Sequence, residues 1–139
     1  MIRTVDVLLA IVVGLVFLPI LTFVFLLDLV KPGFFLFRQS RIGRYKEPFV
    51  IYKLRTMPLG TVQGETRVVM AGWEVQPLAI YRWLRKMRLD EIPQVLNILK
   101  GDMSWVGPRP CLPSQLDLVK AREELKVFSL RPGLAGPAQ

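Results

Sequence analysis

The sequence predicts an α+β, mostly helical fold: one long apolar N-terminal helix that meets a membrane, then a single small domain of interfacial helices and short strands. Three observations predict it. The run from Val7 to Leu27 carries no charged side chain. The rest of the chain alternates helical and strand-like apolar spacing between glycine and proline signals. A chain of 139 residues leaves room for only one core once the apolar run is set aside.

Composition narrows the classes of function. The net charge is +8, from 19 basic and 11 acidic residues, yet 52% of the chain is hydrophobic. Basic and oily together point to an anionic membrane surface and membrane lipids, because a soluble nucleic-acid binder gains nothing from a long apolar run. Nucleic acid is not an expected partner, and no reading motif appears. Cys111 is the only cysteine, which excludes an internal disulfide and a four-cysteine zinc site and suits a reducing compartment. The absence of histidine removes imidazole bases, Ser-His and Cys-His catalysis and His-containing zinc sites. Any acid, base or nucleophile must be a carboxylate, Lys, Tyr, Ser or Thr.

As a helix rising about 1.5 Å per residue, Val7 to Leu27 just reaches across a hydrocarbon core of about 30 Å. It is too long for a signal-peptide core and no small-x-small site follows it. Pro19 lies a little past its middle, where it removes a backbone hydrogen bond and kinks a helix. Arg3 precedes the run and Lys31, Arg38, Arg41 and Arg44 follow, so the positive-inside tendency would hold both flanks on the cytoplasmic side. A helix bent at Pro19 that enters and leaves by one face satisfies both observations, with Asp6 and Asp28 at the same interface. A plain span with a tolerated proline satisfies the length equally well.

Pro32-Gly33 is a turn signal, and Phe34 to Phe37 suit a strand or interfacial burial. Arg38 to Arg44 read as a basic, glycine-containing loop. Pro48 to Arg55 alternate like a half-buried strand, with Phe49, Ile51 and Leu54 toward a core and Lys53 and Arg55 facing out. Pro58 to Glu65 read as a loop, and Thr66 to Gln76 receive no assignment. Pro77 can open a helix in which Leu78, Tyr81, Trp83, Leu84 and Met87 take helical spacing among Arg82, Arg85, Lys86 and Arg88. Long basic side chains can snorkel, which suits a membrane-surface helix.

The next stretch, Leu89 to Arg109, places two adjacent carboxylates inside a cationic frame suited to phosphate chemistry. Pro93 is acceptable only in a first turn, which puts a helix start near Leu89 to Ile92, and Gly101 is placed to end that helix. Ile92, Leu96 and Leu99 then form an apolar stripe with Val95 beside it. Asp90 and Glu91 fall at the positive end of the helix dipole, which favours their ionised forms. Acidic residues there are common caps, so spacing alone favours capping over catalysis, while the surrounding arginines weigh toward function. Arg109, held between Pro108 and Pro110, loses little entropy on engaging a ligand, and its planar guanidinium suits bidentate phosphate contact. A salt bridge to Asp102 or Glu91 would explain it equally well. Met103 to Val106 look like a brief buried segment. Ser114 could cap a last helix from Gln115 to Phe128, with Leu116, Val119 and Leu125 in register, that ends at Arg131-Pro132-Gly133.

Several of these segments, taken in order, resemble the monotopic phosphoglycosyl transferases, also called bacterial sugar transferases or polyprenyl-phosphate hexose-1-phosphate transferases. The matching residues are Lys31-Pro32-Gly33 with Phe37 to Gly43, Phe49 to Met57, Trp83 to Lys86, Leu89-Asp90-Glu91-Ile92-Pro93-Gln94, Asn97 to Ser104, Val106 to Pro110, and Arg131-Pro132-Gly133. Each is weak alone, but their joint order is specific and covers nearly the whole chain.

The resemblance implies a re-entrant membrane helix over residues 1–31, broken at Pro19, and a cytoplasmic, membrane-associated catalytic domain over 32–139 at the bacterial inner membrane. It implies transfer of a sugar 1-phosphate from a UDP-sugar to polyprenyl phosphate, with release of UMP. Asp90 is then the nucleophile that becomes a phosphosugar carrier, Glu91 works with it at Mg²⁺, and Arg85 and Arg109 hold phosphate groups. Covalent carboxylate catalysis needs no histidine, and Mg²⁺ takes carboxylate and phosphate oxygens. A homo-oligomer is left open. The chain departs from the family in carrying Leu18 where many members have serine before the proline. It also reads Gly136-Pro137-Ala138-Gln139 where they have Gly-Trp-Ala-Gln, and it matches poorly over Gly60 to Gln76 apart from Arg67. The domain is expected to be shorter than usual at its C-terminus. The competing class is a non-enzymatic membrane-anchored module that binds anionic lipid, with Asp90 and Glu91 as caps.

Overall fold

The computed structural model describes residues 2–30, 35–56 and 79–136, except the side chains of residue 2 and residues 79–82. The expected turn at Pro32-Gly33, the loop from Pro58, the unassigned stretch to Gln76 and the start at Pro77 lie outside the described residues. Ile2–Val30 form one α-helix, α1, which passes through Pro19. Its length is roughly 43 Å. Pro19 has no N–H to give the carbonyl of Leu15, so the ladder loses a bond there while the helix continues on both sides.

The two faces of α1 differ. Leu15, Val16, Phe23 and Phe25 are 61–67% exposed, so among the described residues nothing covers this face of the helix middle. Its first turns are different, because Ala10 is fully buried in a core with Ile51, Val95, Ile98 and Met103 and Val13 packs against that core. Arg3 donates from its two Nη atoms to the carbonyls of Ile98 and Leu99. Asp6 is buried and accepts from Ser104 Oγ at 2.7 Å and Trp105 N at 3.3 Å. Trp105 Nε1 donates to the Asp6 carbonyl at 3.1 Å. At the far end, buried Asp28 accepts from Leu36 N at 3.3 Å and Arg38 Nη2 at 3.0 Å.

Strands β1 (Leu36–Ile42) and β2 (Pro48–Leu54) form an antiparallel hairpin that pairs Leu36 with Leu54 and Ile42 with Pro48. Arg38 to Ile42 are therefore strand and not the expected basic loop: pairing with the alternating β2 segment supplies their backbone partners. The chain reverses through a 3-10 turn, Arg44–Lys46, closed by Gly43 N donating to Glu47 O at 2.8 Å. Helix α2 spans Ala79–Lys86, and a 3-10 helix, Leu89–Gln94, leads directly into α3, Val95–Lys100. Gly101 ends α3 at φ 97°, as its place in the sequence predicts.

The buried aliphatic residues of this segment are Ile92, Val95 and Ile98, while Leu96 and Leu99 are exposed. This corrects the expected Ile92, Leu96, Leu99 stripe. A 3-10 helix has three residues per turn, so the buried aliphatic positions follow a spacing of three from the turn into α3.

Strand β3 (Ser104–Val106) pairs in parallel with β4 (Gly133–Ala135), a strand the sequence pattern did not announce. The backbones are close enough that a Cβ on Gly133 would lie 2.0 Å from Gly107 N. Between them, α4 runs over Leu116–Glu124 and a 3-10 turn over Val127–Ser129, a shorter helix than expected. Its buried positions are none: Leu116 and Leu125 are exposed. The N-cap is Gln115 and not Ser114, and its Oε1 accepts from Leu112 N at 2.9 Å.

Candidate active site

The 3-10 helix that carries Asp90 and Glu91 follows a left-handed residue, Arg88, at φ 55°. Glu91 N donates to the Arg88 carbonyl at 3.1 Å, which starts the tight turn. Pro93, having no N–H, is suited to the segment ahead of α3. The position of α3 against the hairpin is set by Asn97, which is fully buried. Its Nδ2 donates to the Val50 carbonyl at 2.7 Å and to Asp102 Oδ2 at 3.3 Å, and its Oδ1 accepts from Tyr52 N at 3.3 Å. One side-chain amide thus ties helix, strand and following loop together.

Opposite the turn, Lys53 Nζ pairs with Glu91 Oε1 at 2.8 Å, and both side chains are mostly shielded from solvent. Lys53 therefore faces inward, contrary to the expected outward orientation. The signal was present in the strand itself: Phe49, Ile51 and Lys53 are separated by two residues and share one face. Cross-strand pairing puts Phe37, Gln39 and Arg41 opposite Lys53, Ile51 and Phe49, on that same face. Arg55 also stays at the protein surface layer rather than leaving it, with its guanidinium 5.7 Å from the Phe37 ring centre.

Arg41 reaches across to the other wall. Its Nη1 donates to the Pro110 carbonyl at 3.1 Å, while Nε and Nη2 donate to Gln39 Oε1 at 3.1 and 2.6 Å. Burial pushes the Arg41 guanidinium below its ordinary value and the charge of Arg109 adds to this, with Glu91 working the other way. Arg109 is itself exposed. Its loop is pinned by Arg122 Nη1 donating to the Arg109 carbonyl and by Gly133 N donating to the Pro108 carbonyl. Neither expected salt bridge of Arg109 forms, because Glu91 is taken by Lys53 and Asp102 by Asn97.

These walls form a small, half-open cleft whose lining includes Arg41, Ile51, Lys53, Glu91, Gln94 and Arg109. Asp90 stands beside the cleft and not in its lining. Burial pushes its carboxyl above the ordinary carboxylate range and the neighbouring Glu91 charge adds to this, while Lys53 and Arg85 pull it back. The expected pull of the helix start toward ionised Asp90 is outweighed by burial. Arg85 is exposed on α2 and acts on Asp90 through its charge. The structure therefore brings Glu91 and Arg109 into one cleft with Arg41, Lys53 and Gln94, which sequence reasoning missed, and leaves Asp90 and Arg85 outside its lining. Pro19 lies far along α1, on its uncovered part.

The family model described as "Bacterial sugar transferase" matches residues 1–139. The UDP-glucose:undecaprenyl-phosphate glucose-1-phosphate transferase of Caulobacter vibrioides is 40% identical over 148 residues, covering 99% of this chain and 52% of that protein. A UDP-N-acetylgalactosamine-undecaprenyl-phosphate N-acetylgalactosaminephosphotransferase of Aeromonas hydrophila is 34% identical, over 99% of this chain and 33% of its own length. The exopolysaccharide production protein ExoY of Sinorhizobium fredii is 34% identical, over 96% of this chain and 66% of its own. The chain spans about half or less of the length of the first two relatives. With the match running through every element of the site, the chain belongs to the bacterial sugar transferase family.

Proposed function

We propose that the chain transfers a sugar 1-phosphate from a UDP-sugar to polyprenyl phosphate through a covalent intermediate on Asp90. The observation that carries this reading is the pair of adjacent carboxylates, one desolvated and one ion-paired, at the edge of a cationic cleft in a member of this family. In the first step an Asp90 Oδ attacks the β-phosphorus of the donor. The bond from that phosphorus to the bridging oxygen breaks, and UMP leaves with the oxygen. In the second step a phosphate oxygen of the lipid attacks the same phosphorus, the bond to Asp90 breaks, and the free carboxylate returns as the new diphosphate forms.

The residues present suit each need of this chemistry. Lys53 and Arg85 favour the ionised nucleophile. Arg109 holds phosphate oxygens from the cleft, and Arg85 does so from the α2 side. The cations offset the charge that spreads over the transferring group. Asp90 and Glu91 also fit Mg²⁺, which is commonly bound through one or two carboxylates plus substrate phosphates. Their mutual repulsion, visible as the upward push of Glu91 on Asp90, is what a divalent cation relieves. Bound there, it would supply Lewis-acid polarisation of the donor phosphate.

The same reading places α1 in the bacterial inner membrane as a re-entrant helix, with the domain on the cytoplasmic face. α1 is long and apolar enough to cross a membrane. Both of its buried end carboxylates, Asp6 and Asp28, are satisfied by the same domain, and this supports entry and exit by one face. Incubating the full chain in nanodiscs with UDP-sugars and Mg²⁺ tests the chemistry. Mass spectrometry is expected to find a phosphosugar on Asp90. An Asp90→Asn protein that releases UMP at the wild-type rate would sink the proposal.

A further inference from the structure

The cleft holds more positive charge than its own carboxylate can answer. Among the described residues of its lining, Arg41, Lys53 and Arg109 face Glu91 as the one carboxylate, and Glu91 Oε1 is engaged by Lys53. Arg41 gives its hydrogen bonds to neutral oxygens, those of Gln39 and Pro110. A guanidinium has five N–H groups, so these three bonds leave one N–H on each Nη. Arg41 and Arg109 are like charges that repel across a partly desolvated space, which lowers the Arg41 pKa after burial itself. Gln94, almost fully buried in the same lining, has an Nε2 with no hydrogen-bond partner among the described residues. A buried donor left unmatched costs about 1–3 kcal/mol, a penalty that a ligand acceptor would remove.

We propose that Arg41 is a third phosphate-binding arginine, which seats a dianionic phosphate group in the cleft between β1, the Leu89–Gln94 turn and the Pro108–Pro110 loop, with the Gln94 amide as the neutral donor. The role of this seat in turnover rests on the transferase reading; the seat itself is a binding site and stands apart from it. Two sources supply the chemistry. One is the diphosphate of a nucleotide sugar, and the other is the terminal monoester of a lipid phosphate, which carries about −1.5 to −2 at neutral pH. In either case the anion matches the surplus of two positive charges left after Glu91 is set against one of the three cations.

The test uses the full chain in nanodiscs, in chloride buffer without divalent cations. Inorganic pyrophosphate and dodecyl phosphate are titrated separately by calorimetry against wild type, Arg41→Gln, Arg41→Lys, Gln94→Leu and Lys120→Gln. Lys120 is exposed on α4 away from the cleft, so its variant controls for loss of one charge. Arg41→Gln is expected to weaken at least one probe about tenfold or more, Arg41→Lys less, and Lys120→Gln not at all. The probe affected identifies the source.

Because Arg41→Gln also removes bonds to Gln39 and Pro110, wild-type protein is in addition labelled with phenylglyoxal and read by mass spectrometry. Either probe at saturation is expected to protect Arg41 and to leave Arg122 reactive. The proposal is overturned if neither probe binds wild type, if Arg41→Gln binds as Lys120→Gln does, or if Arg41 labels equally with and without probe. Protection of Arg41 in a chain that forms no adduct on Asp90 would sink the transferase reading and leave this site standing.

Discussion

Lys53 Nζ lies 2.8 Å from Glu91 Oε1, so the second strand of the hairpin grips the turn that bears the two carboxylates. Removing the cation would leave Glu91 charged in a half-closed space. Lys53→Met is expected to destabilise the fold by about 1–3 kcal/mol, less than a fully buried pair because water still reaches both groups. Adding Glu91→Gln to it should return part of that loss. A double-mutant cycle by chemical denaturation measures both, and strict additivity would show that the contact is idle.

Asp90 makes a prediction about pH. Its folded carboxyl sits above its ordinary value, chiefly through burial and then through Glu91. Below the ordinary value both states hold the proton and the group contributes nothing. As pH rises past that value the unfolded chain releases the proton first, so folding is penalised, and the penalty is complete above the raised folded value. Asp90→Asn removes the penalty. The stability of this variant relative to wild type should therefore grow from about pH 3.5 to neutrality, read by denaturation at several pH values. For the proposed transfer, the acid limb of UMP release by the wild-type chain should fall at a higher pH than an ordinary aspartate would give. Lys53→Met, which removes a charge that pulls Asp90 down, should move that limb higher still.

Arg3 gives a prediction about the N-terminal turns of α1. Its two bonds cap the last carbonyls of α3, where a cation also meets the negative end of the helix dipole. Arg3→Ala should cost about 1–2 kcal/mol and speed hydrogen exchange over residues 98–103, with Arg3→Lys intermediate. Unchanged exchange there would mean the cap is unnecessary.

Gly133 and Gly107 meet backbone to backbone where β3 and β4 pair. A Cβ on Gly133 would sit 2.0 Å from Gly107 N, and no side-chain rotation relieves that. Gly133→Ala should cost more than the roughly 1–3 kcal/mol of ordinary overpacking and disturb the Pro108–Pro110 loop with it. Circular dichroism melts and binding of pyrophosphate would report both effects.

Much of this architecture was legible from local pattern. The apolar run announced α1, alternation announced β2, and Gly101 marked the end of α3. The ordered motifs pointed to Asp90, Glu91, Arg85 and Arg109. What the pattern hid depends on partners distant in sequence. Arg38 to Ile42 looked like loop because their strand character comes from pairing with β2. β4 was invisible because three residues carry no period. Lys53 was misassigned by its charge although its position placed it with Phe49 and Ile51, and Arg41 could be assigned to the cleft only once the hairpin register was known. The exposed Leu96 and Leu99 mark where a 3-10 entry shifts a helical stripe by one position.

The burial of Ala10 beside Val95 and Ile98 has a practical consequence for anyone wishing to handle this protein in water. Trimming the chain to begin after α1 would not free a soluble domain. It would uncover the apolar residues behind the turn that carries Asp90 and Glu91, strip Ser104 and Trp105 of their acceptor, and remove the cap from α3. For the same reason a foreign anchor spliced in place of α1 would restore attachment to a bilayer without restoring the fold, so solubilisation has to come from the surrounding detergent or disc and not from the gene.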